Sequence, residues 1–380
     1  MLAPSLDLVA KTTGLMRHWW GAVRHLPSRD MALTTMRLAT RTGLSRVAQR
    51  EAAIDASGNG ITALRLGLAG WVLVMHLWPA GGFGTDPLRA LTGDRLDGGG
   101  SAAVWGFFGL SGYLLAISRA HLSARAFAWR RALRILPAYW VCILLTSALV
   151  GSWYIEATAS PLGWVGAPSW DGFALNPTNL VNASLWTLPL ELSCYIVLAL
   201  IPGRALRITA PLLAVTFLAS ALSGGVGFAE WQPPIFAFTV GLVIALWRVP
   251  LHGSVALACA LLAFISVGSP VGTMIAAAGL AYAFLWLGLW LPFRWTADLS
   301  YGTYIYAFPV TQLLILAGTA RFGPVALALT AGPVTLALAA VSWHLVERPA
   351  LSLKAISIVD LTEPRRLMPG LPAGRSARRR

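Results

Sequence analysis

Arg65 and His76 are the two strongly polar side chains in the first long apolar stretch, residues 61–80. An ionisable group at membrane depth is costly and is a functional hypothesis by default. Eleven helical steps rise about 16 Å and turn about three times, so the two side chains share one face, Arg65 near a membrane surface and His76 near the midplane. A neutral imidazole there suits proton abstraction from a hydroxyl. A second group comprises Arg130, Arg131 and Arg134, where a helix would put Arg130 and Arg134 one turn apart with Arg131 adjacent. Three guanidinium groups so arranged can clamp a phosphate or diphosphate, although such clusters also serve as plain topology anchors. Glu191 lies inside the apolar run 185–195 and requires a partner at that depth. Two partners are open to it: it orients His76, or it neutralises an arginine such as Arg65. Tyr301, Tyr304 and Tyr306, with Ser300 and Thr303, bring hydroxyls to the start of another apolar stretch, as a polar cavity lining or as an interface belt.

The elements that must position these groups are membrane helices. Of 380 residues, 57% are hydrophobic and only 12% charged, which excludes an ordinary soluble domain. Ten apolar spans are expected, near 61–80, 102–118, 133–152, 185–202, 208–224, 232–248, 253–269, 271–291, 300–318 and 324–345. The fold class is thus an all-α integral membrane protein, a polytopic bundle of about ten transmembrane helices with both termini cytoplasmic. The net charge of +14 does not indicate nucleic acid, because the basic residues gather at span ends and in the two tails. Alternate connections hold Arg119, Arg125, Arg130, Arg131 and Arg134, then Arg204 and Arg207, Arg248, and Arg294, while the others hold only Arg89, Arg95 and Arg321 beside Asp86, Asp94, Asp97, Glu156, Asp171 and Glu230. An even number of spans with basic connections inside accounts for this separation.

Three regions follow: a basic cytoplasmic arm over 1–58, the transmembrane domain over 59–352 and a basic cytoplasmic tail over 353–380. The arm has no continuous apolar core and does not read as a cleavable signal peptide. Two long connections, 81–100 and 153–184, fall on the outer side and could form a lid or acceptor rim. Cys142, Cys194 and Cys259 each stand alone in apolar sequence and read as packing residues, with no spacing for a metal or a disulfide framework. The segment Gly109–Leu110–Ser111–Gly112 lacks the spacing of a hydrolase nucleophile elbow, and no phosphate-cradling glycine loop ending in Lys and Ser/Thr is present.

The ordered set of motifs resembles the acyltransferase-3 family of integral-membrane acyltransferases, which O-acylate sugars and related acceptors. The resemblance runs from about Gly60 to Leu351. It is carried by the Arg65 and His76 pair, Phe107 to Leu115, the run Arg130, Arg131, Arg134, Pro137 and Tyr139, the Trp186 to Glu191 segment, Ser300 to Pro309, and Glu347–Arg348–Pro349. Two positions depart from the family pattern. Ala307 stands where many members have histidine, and Glu191 is single where others have two glutamates. The resemblance implies an acyl-CoA co-substrate, most often acetyl-CoA, with no permanently bound cofactor, a glycan hydroxyl as acceptor, and multi-pass residence in a bacterial inner membrane. On this reading Arg65, Arg130, Arg131 and Arg134 hold the donor phosphates, His76 is the general base, Glu191 orients or balances it, and Tyr301, Tyr304 and Trp186 contact substrate. Transfer is direct or passes through a covalent acyl intermediate, and the acceptor arrives from either membrane face. The rival reading is a multi-pass transporter or lipid-linked sugar flippase using Arg65, His76 and Glu191 for substrate or proton coupling, although the matching halves common in transporters are not visible. The segment Glu347–Arg348–Pro349 by itself reads as a helix end stopped by proline with an interfacial charge cluster.

Overall fold

A computed structural model describes residues 60–93, 98–120, 122–153, 173, 176–223, 230–291 and 297–355. The arm expected over 1–58, the tail beyond 355 and most of the connection 153–184 lie outside the described residues. Among those described, all regular structure is helical. The apolar stretches become α1 (Gly60–Gly81), α3 (Gly100–Arg119), α4 (Ala124–Trp153), α5 (Thr187–Leu200), α6 (Leu206–Leu222), α7 (Gln232–Trp247), α8 (Gly253–Ser266), α9 (Pro270–Trp290), α10 (Ser300–Leu316) and α11 (Gly323–Ser342). A short α2 (Pro87–Leu91) interrupts the first connection, and a π-helical turn (Trp343–Glu347) joins α11 to α12 (Arg348–Ser352). Six of these segments are long and apolar enough to cross a bilayer, and α6, α7 and α8 are shorter apolar helices.

The side-chain distribution is that of helices facing lipid rather than water. Leu261 is 60% exposed and Leu329 72%, while Ala277, Ala281, Ala331 and Ala339 are fully buried. Leucine outside and alanine or glycine inside suits a bundle whose interior gains from close van der Waals packing and whose exterior needs no polar groups. A close approach joins α3 to α7, where the backbones touch. A methyl group on Gly112 would lie 2.0 Å from the Phe238 carbonyl oxygen, and one on Gly241 would lie 2.1 Å from that of Gly109.

Prolines inside helices leave carbonyls that the apolar interior must satisfy by other means. Pro309 in α10 cannot donate to the Ile305 carbonyl; Asn182 Nδ2 donates to it at 2.8 Å and Cys142 Sγ at 3.3 Å. Pro211 in α6 likewise frees the Arg207 carbonyl, to which Trp247 Nε1 donates at 3.2 Å. Cys142 therefore does more than pack, correcting the expectation for it. A second correction concerns Pro349. It occupies the first turn of α12, where a missing N–H costs little, so the helical path continues to Ser352 instead of stopping at the proline.

The α3–α7 seam gives the first prediction. Gly112→Ala or Gly241→Ala forces the two backbones apart and destabilises the bundle by about 1–3 kcal/mol. Gly70→Ala on α1, where a methyl group would meet nothing within 4 Å, is tolerated. Thermal unfolding of purified protein in detergent distinguishes them; equal midpoints for all three variants would refute the seam.

A candidate active site lined by arginines

Five helices surround one cavity that opens to the exterior. Arg65 comes from α1, Phe107, Phe108 and Ser111 from α3, Arg131 and Arg134 from α4, Thr187, Glu191 and Tyr195 from α5, and Ser300, Tyr301 and Tyr304 from α10. The N-terminal parts of α1, α4 and α10 meet at this cavity with the stretch Thr187 to Tyr195 of α5.

Asp298, in the connection leading into α10, organises the arginines. Its Oδ2 accepts from Arg65 Nη1 at 3.0 Å and from Arg134 Nη2 in a still shorter contact. Its Oδ1 accepts from the Ser300 backbone N–H at 3.2 Å and from Ser300 Oγ at 2.5 Å, holding the entry to α10. The other terminal nitrogen of Arg134, Nη1, stands 3.6 Å from Glu347 Oε2. The guanidinium also faces the rings of Tyr301 and Trp343 at 6.0 Å. Arg131 lies over the Phe127 ring at 5.8 Å. Burial alone would raise the Asp298 carboxyl, but Arg134, then Arg65, and the Ser300 hydrogen bonds outweigh it and hold it down at about 2.

Hydroxyl groups line the rest of the cavity. Tyr195 donates to Glu191 one turn earlier on α5, Tyr301 donates to the Ile135 carbonyl at 3.0 Å, and Thr187 and Tyr304 share a hydrogen bond of 2.8 Å. Glu191 thus receives a tyrosine hydroxyl, where His76 or Arg65 was expected as its partner, and Arg65 pairs with Asp298.

His76 is separate from this cavity's lining. Its Nδ1 lies 2.7 Å from the Val72 carbonyl oxygen. A carbonyl only accepts, so Nδ1 carries the proton and the neutral ring keeps its lone pair on Nε2. The ring meets Phe308 edge to face, with centroids 5.7 Å apart. Phe308 lies one turn, about 6 Å, beyond Tyr304 along α10, so His76 sits one step deeper than the cavity floor. On the far side of His76, Asp86 accepts from the backbone N–H groups of Leu88, Arg89 and Gly99, at 3.1, 3.0 and 3.0 Å. This folds the first connection back towards Gly100, whose added methyl would lie 3.6 Å from His76 Cε1. Ala307 is 3% exposed and packs with Leu73, Leu77 and Phe308, so apolar contacts fill the position where a second histidine was looked for.

The structure therefore brings together Arg65, Arg131, Arg134, Glu191, Tyr301 and Tyr304, and leaves His76, Arg130 and Trp186 outside the cavity lining. Asp298 and Glu347 were not anticipated in this role. Asp298 had a sequence signal: it is an acid four residues after Arg294, in a connection on the otherwise basic side, two residues before a serine at a helix start. Glu347, expected at an interface beside Arg348, is instead 1% exposed and faces Arg134.

With this geometry established, comparison with known proteins is informative. A family model described as an acyltransferase domain matches residues 59–344. An O-acetyl transferase of Shigella phage Sf6 is 29% identical over 340 residues, covering 77% of this chain and 96% of that protein. No solved structure matches the chain.

Asp298→Asn leaves two guanidinium groups facing each other without their shared anion and costs about 3 kcal/mol of stability. Because the folded-state carboxyl is depressed, its contribution is complete above the ordinary carboxylate range near pH 4 and is lost only as the pH falls towards 2. The difference in unfolding midpoint between wild type and Asp298→Asn in detergent therefore stays constant from about pH 8 to about pH 5. A difference that closes within that window would show that another group carries the network.

Proposed function

This chain belongs to the acyltransferase-3 family, whose domain covers residues 59–344, and from that premise we propose that it moves an acyl group, most simply acetyl, from acyl-CoA to a hydroxyl of a glycan acceptor. It is an acyltransferase and a multi-pass membrane protein. In the proposed topology all ten apolar helices, the shorter ones included, traverse a bacterial inner membrane, with both chain ends and the arginine cavity on the cytoplasmic side, where acyl-CoA is made.

The observation that carries the reading is the arginine-rimmed cavity, whose Tyr304 lies one helical turn from Phe308, the ring that His76 meets edge to face. Arg131, with Arg65 and Arg134 held by Asp298, supplies positive charge for the donor phosphates at the mouth. Phe107, Phe108, Leu114 and Leu188 give the donor's less polar arm a lining below it, beside Tyr301 and Tyr304. Glu191, which lines the same cavity as the arginines and receives the Tyr195 hydroxyl, balances charge within it. The thioester then lies near His76, and the acceptor approaches from the opposite membrane face, past the connection that Asp86 folds.

In the reaction, Nε2 of His76 takes the proton of the acceptor hydroxyl as its oxygen bonds to the acyl carbon. The carbon–sulfur bond breaks, and the departing thiolate takes up the proton from the imidazolium. Val72 holds the ring in the tautomer this requires. The relative from phage Sf6 supports acetyl as the group moved.

Membranes containing the protein will move radiolabel from acetyl-CoA into an extract of host glycans, and His76→Ala at matched folded levels will lower the rate by about 100-fold or more. Absence of label transfer from acetyl-CoA and from longer acyl-CoA donors, with folded protein present, would sink the reading. Arg131→Ala is expected to raise the KM for acyl-CoA with little change in the KM for the glycan.

A further inference from the structure

The buried face of α11 recurs at Leu327, Ala331, Thr335, Ala339 and Ser342, steps of four, four, four and three. An unbroken α-helix would continue this face at Val346. The next fully buried residue is instead Glu347, five positions on, because the π-helical turn Trp343–Glu347 inserts one extra residue and its closing bond runs from the Arg348 N–H to the Trp343 carbonyl. The turn thus exchanges a valine for a carboxylate on the inner face of the bundle. Both changes oppose stability: π-turns are rare, and a carboxylate 1% exposed bears a desolvation penalty.

The surroundings accommodate that carboxylate. Gly302 on α10 makes room for it, since an added methyl group there would lie 3.3 Å from Glu347 Oε1 and 2.9 Å from the Ala339 Cα. Ser342 Oγ donates to Oε1 at 3.2 Å and itself receives Tyr306 O–H at 3.4 Å. Oε2 faces Arg134 Nη1 at 3.6 Å, beyond hydrogen-bond range, while Arg134 Nη2 is bonded to Asp298. The turn also sets Trp343 against the Arg134 guanidinium, opposite Tyr301.

We infer that Glu347 is a positioning residue for Arg134: the π-turn delivers its carboxylate so that, with Asp298, it fixes the plane in which the guanidinium meets the donor phosphates. This rests on the proposed donor site. Asp298 holds one terminal nitrogen of Arg134 and Glu347 draws the other electrostatically without bonding it, so the fork is oriented yet retains donor capacity towards the cavity. Glu347 touches no substrate and acts through Arg134.

The test compares steady-state acyl transfer by full-length wild type, Arg134→Ala, Glu347→Gln, Glu347→Asp and Ser342→Ala, each purified in detergent and checked for monodispersity. Glu347→Gln is expected to raise the KM for acetyl-CoA about tenfold, leaving kcat and the acceptor KM within about twofold, and Glu347→Asp to recover part of the loss. Ser342→Ala, which only loosens the carboxylate, raises the donor KM about threefold and carries the test if Glu347→Gln does not fold. An unchanged donor KM in a folded Glu347→Gln, or failing that in Ser342→Ala, alongside a raised one in Arg134→Ala, overturns the inference and leaves the donor site standing. An unchanged donor KM in Arg134→Ala overturns the donor assignment itself, and the inference with it.

Discussion

A charge moved out of water must find its counter-charge within a few ångströms, and at the cavity end of this bundle that requirement is met through Asp298. One of its carboxylate oxygens is shared by guanidinium groups that lie 233 and 164 residues away in the chain. The starts of α1, α4 and α10 are therefore fixed relative to one another by a contact that none can forgo, since removing any member strands the others at low dielectric. Glu347 and Glu191 complete a set in which Arg65, Arg131 and Arg134 are matched by three carboxylates. The cavity is thus rich in hydrogen-bond donors without a large net charge, which allows it to exist when no anion occupies it.

Much of the architecture was legible because membrane helices obey a coarse rule. A run of apolar residues with basic residues at its ends is a strong signal: nine of the ten expected stretches have their helix within a few residues, while α4 starts nine residues before the stretch expected at 133–152, taking Arg130 and Arg131 into the helix. Arg65, Arg131 and Arg134 were legible as a cluster because charges are so scarce that those present must have reasons. What sequence pattern does not carry is partner choice. Glu191 could be seen to need a partner, yet nothing in the sequence marks Tyr195, one turn away on its own helix, as that partner. Glu347 was misread for a sharper reason. A regular 3.6-residue period places Val346 inside and Glu347 out, and the π-turn that reverses them leaves no mark in composition. Arg130 and Arg131 show the same limit, since a shift of one residue decides which reaches the cavity.

The arginine cavity and His76 are held in place differently. The arginine end is held by side chains from several helices, whereas His76 is oriented by the backbone of its own helix one turn back and by the Phe308 ring. A tautomer set by a local backbone carbonyl needs no second histidine or carboxylate to define it. The alanine at position 307 is consistent with this economy, since the imidazole already has one nitrogen committed and one available.

The contact between α3 and α7 bears on how molecules enter and leave. A seam in which one backbone rests on another, with no side chain between, cannot widen by rotamer changes, so α3 forms a fixed jaw along one wall of the cavity. The opposite wall, made by α4 and α5, is joined to the rest through long side chains and single hydrogen bonds, and its outer face is a slope of exposed leucine and isoleucine. The α3 wall is thus backed by protein and the α4–α5 wall by lipid, so chain order and thickness in the surrounding bilayer bear on the cavity from one side only.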